Sequence, residues 1–445
     1  DTDWALPANQ AWVRDILSRW RTRAPELIPL QIGGDLITSS YPGEGTDPSR
    51  PNVVAYRYAL ADHAQINRAL DVAVQALADW SARPLAERRA LLIRAGYELQ
   101  RNRGDLIGAM ILDGGKAIPE ADAEVSEAID FANYYARTFD TLAEELRDCR
   151  SQPLGVIVVT PPWNFPLAIP CGGVLAALIA GNTVILKPAP EATLVGWHLA
   201  QTLWAAGIPR AVLQFVPAPD NQIGQALVTD DRVGGVILTG SRATALMFQG
   251  WKPDMRLFAE TSGKNSLIIT GLADHDQAIK DLVRSAFGHN GQKCSAASLA
   301  VLEAEVYNSP AFHRQLADAA ASLTVGSAWD PASKVTPLTQ VPGDNLRRAL
   351  TSLDTGETWL LEPRQIGDNP RLWSPGIKIG VQRGSFFHQT ECFGPVLGLM
   401  RADDLAEAVE LANDTHFGLT GGIHSLDDRE IDYWRERIEV GNAYI

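Results

Sequence analysis

The stretch at residues 155–187, GVIVVTPPWNFPLAIPCGGVLAALIAGNTVILK, carries the strongest prediction about the fold. Two short runs of mainly β-branched residues, VIVV and TVIL, flank an uncharged segment. The residues from Pro166 to Leu186 are long enough to span a membrane. The Gly181-Asn182 pair interrupts them, so we expect a buried helix followed by a strand rather than a membrane span.

The same alternation of strands and helices continues beyond this stretch. The runs VLQFVP, GVILTGS, SLIIT and SLAVLEAEV have the character of further strands. Apolar residues at helical spacing predict helices over residues 65–80, 85–100, 120–136, 193–204, 276–288 and 309–323. Alternating strands and helices are typical of parallel sheets with helices on both faces, and a second such block begins near Leu257. A Gly- and Pro-rich stretch over about residues 326–384 is expected to form loops.

The composition excludes several classes of protein. The chain has 445 residues, of which 46% are hydrophobic and 21% charged, so it is neither disordered nor collagen-like, and 48.3 kDa indicates two or three domains. Lys and Arg number 39 against 53 Asp and Glu, giving a net charge of −14. Such a balance disfavours nucleic-acid and anionic-membrane partners. Four cysteines without CxxC spacing, and a start that does not resemble a signal peptide, favour a cytoplasmic protein.

Polar clusters follow three of the predicted strands, at residues 160–164, 187–191 and 239–241. Because ligands of parallel sheets bind outside the carboxyl ends of the strands, we expect a binding site there. Asn164 could donate to a developing oxyanion, or it could merely form a turn before Pro166. Lys187 could reach ribose or phosphate oxygens, or it could be solvated. The amides of Thr239-Gly240-Ser241 could face a phosphate, although GxGxxG and Walker A sequences are absent.

Cys294 and Glu260 are candidates for covalent and acid–base chemistry. Cys294 lies in GHNGQKCSAAS, where small neighbours leave room for a substrate and Lys293 is a nearby cation. The alternative is a buried structural cysteine. Glu260, in LFAETSGKN, ends an apolar run, where partial loss of solvation suits a general base. The alternative is a solvated glutamate at the edge of a strand.

Glu391 and Phe393, in TECFGPVLG, lie two residues apart on a segment that we expect to be extended. Their side chains would then point to the same side, one towards a ribose hydroxyl and the other against a flat ring. An ordinary turn before Gly394 is the alternative. The histidines show no HExxH motif and no G-x-S-x-G elbow occurs, so we expect neither a metal site nor a serine hydrolase.

The ordered set PWNFPL, GNTVILKPAPE, LTGS, ETSGKN, GQKCSA and ECFGPVLG resembles the aldehyde dehydrogenase superfamily over essentially the whole chain from Val53 onward. The resemblance implies an α/β fold with two doubly wound parallel-sheet domains and a small oligomerisation flap, in a homo-oligomer. The implied divisions are an N-terminal arm at 1–50, an NAD-binding domain at 51–259 with the flap near 140–155, a catalytic domain at 260–438, and the start of a truncated C-terminal segment at 439–445.

The resemblance also implies roles for individual residues. Cys294 matches the thiol nucleophile that attacks an aldehyde substrate, and Glu260 matches the base that activates the hydrolytic water. Asn164, together with the Cys294 backbone amide, matches the oxyanion hole. Lys187 matches the adenosine-ribose ligand and Glu391 the nicotinamide-ribose ligand. The positions that would contact NAD are Trp163, Lys187, Gly224, Thr239, Gly240, Ser241, Glu391 and Phe393.

Three longer stretches narrow the resemblance. RLFAETSGKNSLIIT, SAFGHNGQKCSAASLAVLEAEVYNSPAF and SPGIKIGV resemble L-glutamate γ-semialdehyde (Δ1-pyrroline-5-carboxylate) dehydrogenases, and most of all the dehydrogenase half of the bifunctional proline utilization A enzymes. This implies oxidation of L-glutamate γ-semialdehyde to L-glutamate, the second step of proline catabolism. Ser295 would contact the α-carboxylate, Phe165 the aliphatic chain and Glu127 the α-ammonium. A different semialdehyde, such as succinate semialdehyde, and a non-catalytic domain of this fold are the alternatives.

Two departures from the family pattern lead to further expectations. The family often has a carboxylate three positions after the cofactor lysine, whereas this chain has Pro190 there, so we expect NAD as cofactor with NADP tolerated. The chain starts at Asp1 and ends with GNAYI, before the family's substrate loop and oligomerisation strand. We therefore expect a piece of a longer dehydrogenase, fused to or paired with a proline dehydrogenase domain.

Overall fold

A computed structural model gives the structure of residues 1–38, 40–145, 147–149 and 151–445, with only the backbone described at residues 139, 140 and 143. These residues form two compact units, an N-terminal unit at Asp1–Thr261 and a C-terminal unit at Ser262–Ile445. The boundary predicted from the sequence lies two residues earlier, between residues 259 and 260. Each unit is built on a mainly parallel sheet, which confirms the predicted α/β class.

The N-terminal unit alternates helices and strands after a helical first part. Its described helices are α1 (Pro7–Arg21), α2 (His63–Ala82), α3 (Leu85–Arg101), α4 (Arg103–Gly114), α5 (Ile118–Glu145), α6 (Ala168–Ile179), α7 (Thr193–Ala205), α8 (Gln222–Thr229) and α9 (Arg242–Trp251). Its described strands are β1 (Glu26–Ile28), β2 (Leu30–Ile32), β3 (Asp35–Ile37), β4 (Gly43–Asp47), β5 (Arg50–Tyr58), β6 (Val156–Thr160), β7 (Thr183–Leu186), β8 (Leu213–Phe215), β9 (Val233–Thr239) and β10 (Leu257–Glu260).

The main sheet of this unit has the order β10-β9-β6-β7-β8-β2-β3 among the described residues. Strands β6 to β10 pair in parallel, whereas β2 and β3 add an antiparallel edge. Val156 and Val158 of β6 pack in one apolar cluster with Ala69 and Leu70 of α2. Burial of alternate residues in this cluster follows the period of a pleated strand, so β6 lies in the core.

The stretch that predicted the fold forms the expected helix and strand. Helix α6 ends at Ile179 and strand β7 begins at Thr183. Gly181 between them has φ +88°, a left-handed conformation that favours glycine. The side chain of Asn182 accepts a hydrogen bond from the Gly155 amide at 3.0 Å, which ties the turn to the start of β6. Within the described part of the chain, no helix combines the length and the apolar character that crossing a membrane requires.

The C-terminal unit repeats the architecture. Its helices are α10 (His275–Phe287), α11 (Ala304–Tyr307), α12 (Pro310–Ala321), α13 (Asp344–Thr351), α14 (Phe386–Gln389), α15 (Leu405–Asn413) and α16 (Asp428–Arg435). Its strands are β11 (Asn265–Ile269), β12 (Ala297–Glu303), β13 (Thr358–Leu361), β14 (Gly376–Ile379), β15 (Val396–Ala402), β16 (Thr420–His424) and β17 (Asn442–Tyr444), in the order β13-β14-β15-β12-β11-β16-β17. Leu299 and Val301 of β12 pack in one apolar cluster, and Ala300 and Leu302 pack in another, as expected for a strand with both faces covered.

The predicted N-terminal arm at 1–50 contains α1, whose Trp20 is buried, and strands of a small sheet ordered β1-β5-β4. A later region differs from the sequence expectation. The stretch 326–384, expected to form loops, contains α13, β13 and β14, because elements this short leave little periodic signal among Gly and Pro residues. The predicted flap near 140–155 includes residues 146 and 150, which lie outside the described residues.

Candidate active site

The polar clusters of the N-terminal unit lie at one edge of its sheet. In the parallel registers, Val159 of β6 pairs with Leu186 of β7, and Thr160 pairs with Leu238 of β9. The Lys187 amide donates to the Val159 carbonyl at 3.0 Å, so Lys187 continues directly from the strand end. The three clusters therefore leave the sheet side by side at its carboxyl edge, the usual position of ligands in this class of fold.

The loop that carries Asn164 is held by a carboxylate on another helix. Asn164 is buried, and the loop ends where α6 begins. Oε1 of Glu124, from α5, accepts hydrogen bonds from the amides of Leu167 at 2.7 Å and Ala168 at 3.1 Å. A helix N-terminus favours such an anion, because its first amides lack partners within the helix and carry partial positive charge.

A buried lysine completes this support. The Lys116 ammonium pairs with Oε2 of Glu124 and lies 4.1 Å from the centroid of the Phe165 ring. Lys116 and Glu124 are each 1% exposed. Reasoning from the sequence missed both residues. The sequence did contain one signal: Glu124 is a carboxylate on the apolar face of a predicted helix, near Ala121 and Val125, which the structure buries. A buried charge requires a partner, so this position predicts a nearby cation or donor.

Glu127 lies three residues after Glu124 on α5, where it is exposed. Residues three apart occupy the same face of a helix. The structure therefore places the predicted ammonium ligand on the helix that supports the loop of Asn164 and Phe165. Trp163 and Phe165 in this loop are half-buried.

Lys187 has a carboxylate partner that the sequence did not suggest. Its Nζ lies 2.6 Å from Oδ1 of Asp220. A Cβ added to Gly224 would lie 2.6 Å from the Pro219 carbonyl oxygen, so the close approach of α8 to the loop before it requires glycine. Burial raises the pKa of Glu191, in the 3₁₀ turn after Lys187, and Asp220 raises it further, whereas Lys187 lowers it.

The structure corrects one expectation about Gly240 and another about Glu260, two residues at the carboxyl ends of neighbouring strands. The Gly240 amide donates to the Glu260 carbonyl at 3.1 Å, so it is used within the sheet rather than presented to a phosphate. Ser241 Oγ accepts from the Thr244 amide at 3.1 Å and caps α9. Glu260 pairs with Thr239 at the ends of β10 and β9. Apolar neighbours do not enclose Glu260 as expected, because β10 is an edge strand and the residue is exposed.

In the C-terminal unit, Cys294 lies in a loop that an asparagine anchors. Nδ2 of Asn265 donates to the carbonyls of Cys294 at 2.6 Å and Ala296 at 3.0 Å, while its Oδ1 accepts from the Thr420 amide at 3.1 Å. Asn265 is buried at the start of β11. The sequence did not predict this role, because Asn265 stood out only as the last residue of the ETSGKN motif. Cys294 is half-buried, and Ser295 beside it is exposed.

The chain approaches this loop through a turn in the left-handed region. His289 and Asn290 have φ values of +47° and +58°, and Gly291 follows with +69°. The Asn290 side chain stabilises the turn by accepting from the Thr336 amide at 2.8 Å and donating to the Pro337 carbonyl at 3.2 Å. Backbone of this kind is costly for non-glycine residues and persists where its surroundings hold it, commonly at functional sites.

The other thiols differ from Cys294 in their surroundings. Cys171 and Cys392 are buried, and burial raises the pKa of both thiols, which leaves them less reactive. Cys149 is exposed near the end of α5. Cys294 differs from all three because it combines partial exposure with a loop held by side-chain hydrogen bonds.

Glu391 contacts the same motif that contains Asn265. Its Oε1 accepts from the Gly263 amide at 2.9 Å. Burial raises the pKa of Glu391, while the Gly263 amide, Ser262 and the Lys264 ammonium lower it. Phe393 has φ +58°, so the segment is not extended and the geometric reason given for a shared side of the two side chains is wrong. This turn at Phe393 lies between the buried Cys392 and Gly394. A Cβ added to Gly394 would lie 2.2 Å from Cδ1 of Leu346, so glycine is favoured there.

The fold of each unit and the candidate residues that it carries are those expected of an aldehyde dehydrogenase, and comparison with known proteins agrees. The model of the aldehyde dehydrogenase family matches residues 39–445, and the chain belongs to this family. In the described part of the chain, no three His, Cys, Asp or Glu residues are grouped to hold a metal ion.

Within the family, the chain is similar to 1-pyrroline-5-carboxylate dehydrogenases. That of Bacillus subtilis strain 168 is 32% identical over 461 residues, covering 100% of this chain and 89% of the relative. The solved structure of the Thermus enzyme with bound NAD has a TM-score of 0.92 and 32% identity, with 100% and 89% covered. Proline utilization A of Corynebacterium freiburgense has a TM-score of 0.84 and 42% identity, and this chain spans 42% of its length.

Proposed function

We propose that the chain catalyses the NAD-dependent oxidation of L-glutamate γ-semialdehyde to L-glutamate. Its full-length similarity to enzymes named 1-pyrroline-5-carboxylate dehydrogenase supports this substrate, and the Thermus structure with bound NAD supports the cofactor. The observation that carries the assignment is Cys294, a half-buried thiol in a loop anchored by Asn265.

Cys294 would act as the nucleophile. Its thiolate attacks the aldehyde carbon, which forms a C–S bond and turns the carbonyl oxygen into an alkoxide. Asn265 fixes the backbone on both sides of Ser295, through the carbonyls of Cys294 and Ala296. A backbone fixed in advance lowers the entropic cost of bringing sulfur and carbon together.

Asn164 would stabilise the alkoxide, and Glu260 would activate the water that later attacks the thioester. The side-chain amide of Asn164 donates to the alkoxide and stabilises it, and the support from Glu124 keeps its loop in place. After the hydride has left, the substrate is held as a thioester on Cys294. Glu260 takes a proton from the water that attacks this thioester, and its exposure gives that water access. Departure of the Cys294 thiolate releases the carboxylic acid.

The carboxyl edge of the N-terminal sheet has the features that a dinucleotide requires. Lys187 is 9% exposed at the end of β7, and Gly224 lies so close to the loop after β8 that an added Cβ would be 2.6 Å from the Pro219 carbonyl oxygen. Lys187 would hold the adenosine ribose, and Glu391 with Phe393 would hold the nicotinamide half. Trp163, Gly224 and the 239–241 segment would line the cofactor. When bound, NAD supplies the acceptor for the hydride that leaves the substrate carbon.

Ser295, Phe165 and Glu127 would recognise the amino-acid end of the substrate. The exposed Ser295 hydroxyl can donate to the α-carboxylate, the Phe165 ring can pack on the aliphatic chain, and the exposed Glu127 can accept from the α-ammonium.

The proposal extends to the setting in which the chain works. Its similarity to proline utilization A supports a fusion or pairing with a proline dehydrogenase domain. We also propose a homo-oligomer, as the resemblance to the family implies. A nucleophilic thiol must stay reduced, which favours action in the cytoplasm.

Steady-state oxidation of a small panel of aldehydes tests this function. L-glutamate γ-semialdehyde should give the highest kcat/KM, above succinate semialdehyde and simple alkyl aldehydes. Cys294→Ala should abolish turnover and retain NAD binding, whereas the matched control Cys149→Ala, at an exposed thiol, should keep activity. A higher kcat/KM for an aldehyde without the amino-acid group would refute the substrate, and full activity in Cys294→Ala would refute the mechanism.

A further inference from the structure

The lysine assigned to the cofactor is already paired with a carboxylate. Lys187 Nζ lies 2.6 Å from Asp220 Oδ1, and the two side chains are 10% and 66% exposed respectively. Asp220 lies in the loop between β8 and α8, which also contains Pro219 and ends at the Asn221 cap of α8. Lys187 is therefore enclosed, while the carboxylate beside it faces outward at the carboxyl edge of the sheet.

A second carboxylate belongs to the same cluster. Glu191 lies in the 3₁₀ turn that directly follows Lys187-Pro188-Ala189. Its pKa responds to both Asp220 and Lys187, which places all three charges within electrostatic reach of one another. Burial raises the pKa of Tyr58, and Glu191, Asp113 and Asp220 raise it further, so carboxyl groups surround this corner. The cluster therefore contains two carboxyl groups and one ammonium group.

We propose that Asp220 makes the cofactor site select NAD over NADP. An outward carboxylate beside the ribose lysine can accept a hydrogen bond from the 2′-hydroxyl, as acidic residues do in other dinucleotide folds. A 2′-phosphate would bring further negative charge close to Asp220 and Glu191. The Lys187 ammonium would attract this phosphate only weakly, because it already pairs with the Asp220 carboxylate. This inference rests on the proposed dehydrogenase function, since it assigns a role to Asp220 within the same cofactor site.

The inference revises the expectation that NADP would be tolerated. That expectation rested on Pro190, which occupies the place of a carboxylate three positions after the lysine. The structure supplies a carboxylate from a loop 33 residues further along the chain. Proline at position 190 therefore removes one acidic side chain without removing negative charge from the site.

The ratio of kcat/KM for NAD to kcat/KM for NADP tests this role. The unmodified chain should favour NAD by more than about 100-fold, and Asp220→Asn should lower the ratio by about tenfold or more, mainly through KM for NADP. Asp220→Glu, which keeps the charge, should preserve the preference. Asp231→Asn is the matched control, because Asp231 is an exposed aspartate that pairs with Lys252 at 2.9 Å before β9, at the opposite edge of the sheet.

Binding of NAD and NADP to Cys294→Ala, followed by fluorescence titration with and without Asp220→Asn, separates this inference from the proposed function. If no aldehyde is oxidised but Asp220→Asn lowers the ratio of NAD to NADP affinity, the function fails and the role of Asp220 stands. Comparable affinities for NAD and NADP before substitution would overturn the role. So would an unchanged ratio in Asp220→Asn, or an equal change in Asp231→Asn.

Discussion

Replacing Glu124 by alanine should destabilise the N-terminal unit and disturb the loop of Asn164. The carboxylate is buried on α5, where Oε1 accepts from the amides of Leu167 and Ala168 and Oε2 pairs with Lys116. Alanine removes all three interactions at once. The Lys116 ammonium, which is 1% exposed, is then left buried without its counter-charge.

The magnitude follows from what is left behind. Removing one partner of a buried ion pair costs about 3–5 kcal/mol, because the remaining charge is uncompensated. The two amides at the start of α6 lose an anionic acceptor, which adds a smaller cost because water can replace part of it. A loss of about 3 kcal/mol or more is a large share of the roughly 5–15 kcal/mol that stabilises a typical domain.

The same change should lower kcat. The Glu124 carboxylate holds the first turn of α6, and the loop carrying Asn164 and Phe165 leads directly into that turn. A shift of about 1 Å in a catalytic group can reduce the rate by about 100-fold. Because Asn164 is assigned to the alkoxide rather than to the bound aldehyde, we expect kcat to fall more than KM rises.

Urea unfolding followed by tryptophan fluorescence measures the loss of stability. Asp130→Ala is the matched control, since Asp130 is an exposed carboxylate on the same helix. The double variant Lys116→Met/Glu124→Met should recover much of the stability, because neither charge then remains buried. A loss below about 1 kcal/mol in Glu124→Ala, or no recovery in the double variant, would refute the reasoning.

Two further predictions concern pH. Burial raises the pKa of Asp113 from 3.8 to about 7, so between these two pH values the folded chain keeps a proton that the unfolded chain loses. The free energy of unfolding should therefore fall by about 4 kcal/mol as pH rises from 3.8 to about 7. Urea titrations of Asp113→Asn should lack that fall, and an unchanged slope would count against the assignment. Burial lowers the pKa of Lys264 from 10.5 to about 8, so stability should rise by about 3 kcal/mol as pH rises between these two values. The same titration of Lys264→Met should show no such rise, and its persistence would point to another group.

Local pattern was enough to predict the central helix and strand. In residues 155–187 the apolar runs, the Gly181-Asn182 pair and the strand lengths are all properties of neighbours in the chain. The structure uses these features locally, since α6 ends two residues before Gly181 and Asn182 bonds back to Gly155. The candidate residues at the strand ends could be predicted for the same reason, because the end of a parallel strand fixes the edge on which its next residue lies.

The geometry of the candidate site depends on contacts that no local pattern contains. Glu124 reaches amides 43 and 44 residues away, and Asn265 reaches the Cys294 carbonyl 29 residues away. Phe393 adopts a positive φ that alternation of residues cannot reveal. Glu260 was expected among apolar neighbours because the residues before it are apolar, but its strand lies at the edge of the sheet, and strand order is a property of the whole unit.

Four of the residues that sequence reasoning missed share one physical property. Lys116, Glu124, Asp113 and Lys264 carry ionisable groups at buried positions, where hydrophobic patterning favours an apolar side chain. Each therefore costs desolvation free energy that an apolar residue would not. Two of these groups lie beside candidate site residues: Glu124 holds the turn after Asn164, and Lys264 is close enough to Glu391 to lower the pKa of that carboxyl. A charged residue that interrupts the apolar face of a predicted element is thus a sequence signal for the support of a site, even where its partner cannot be named.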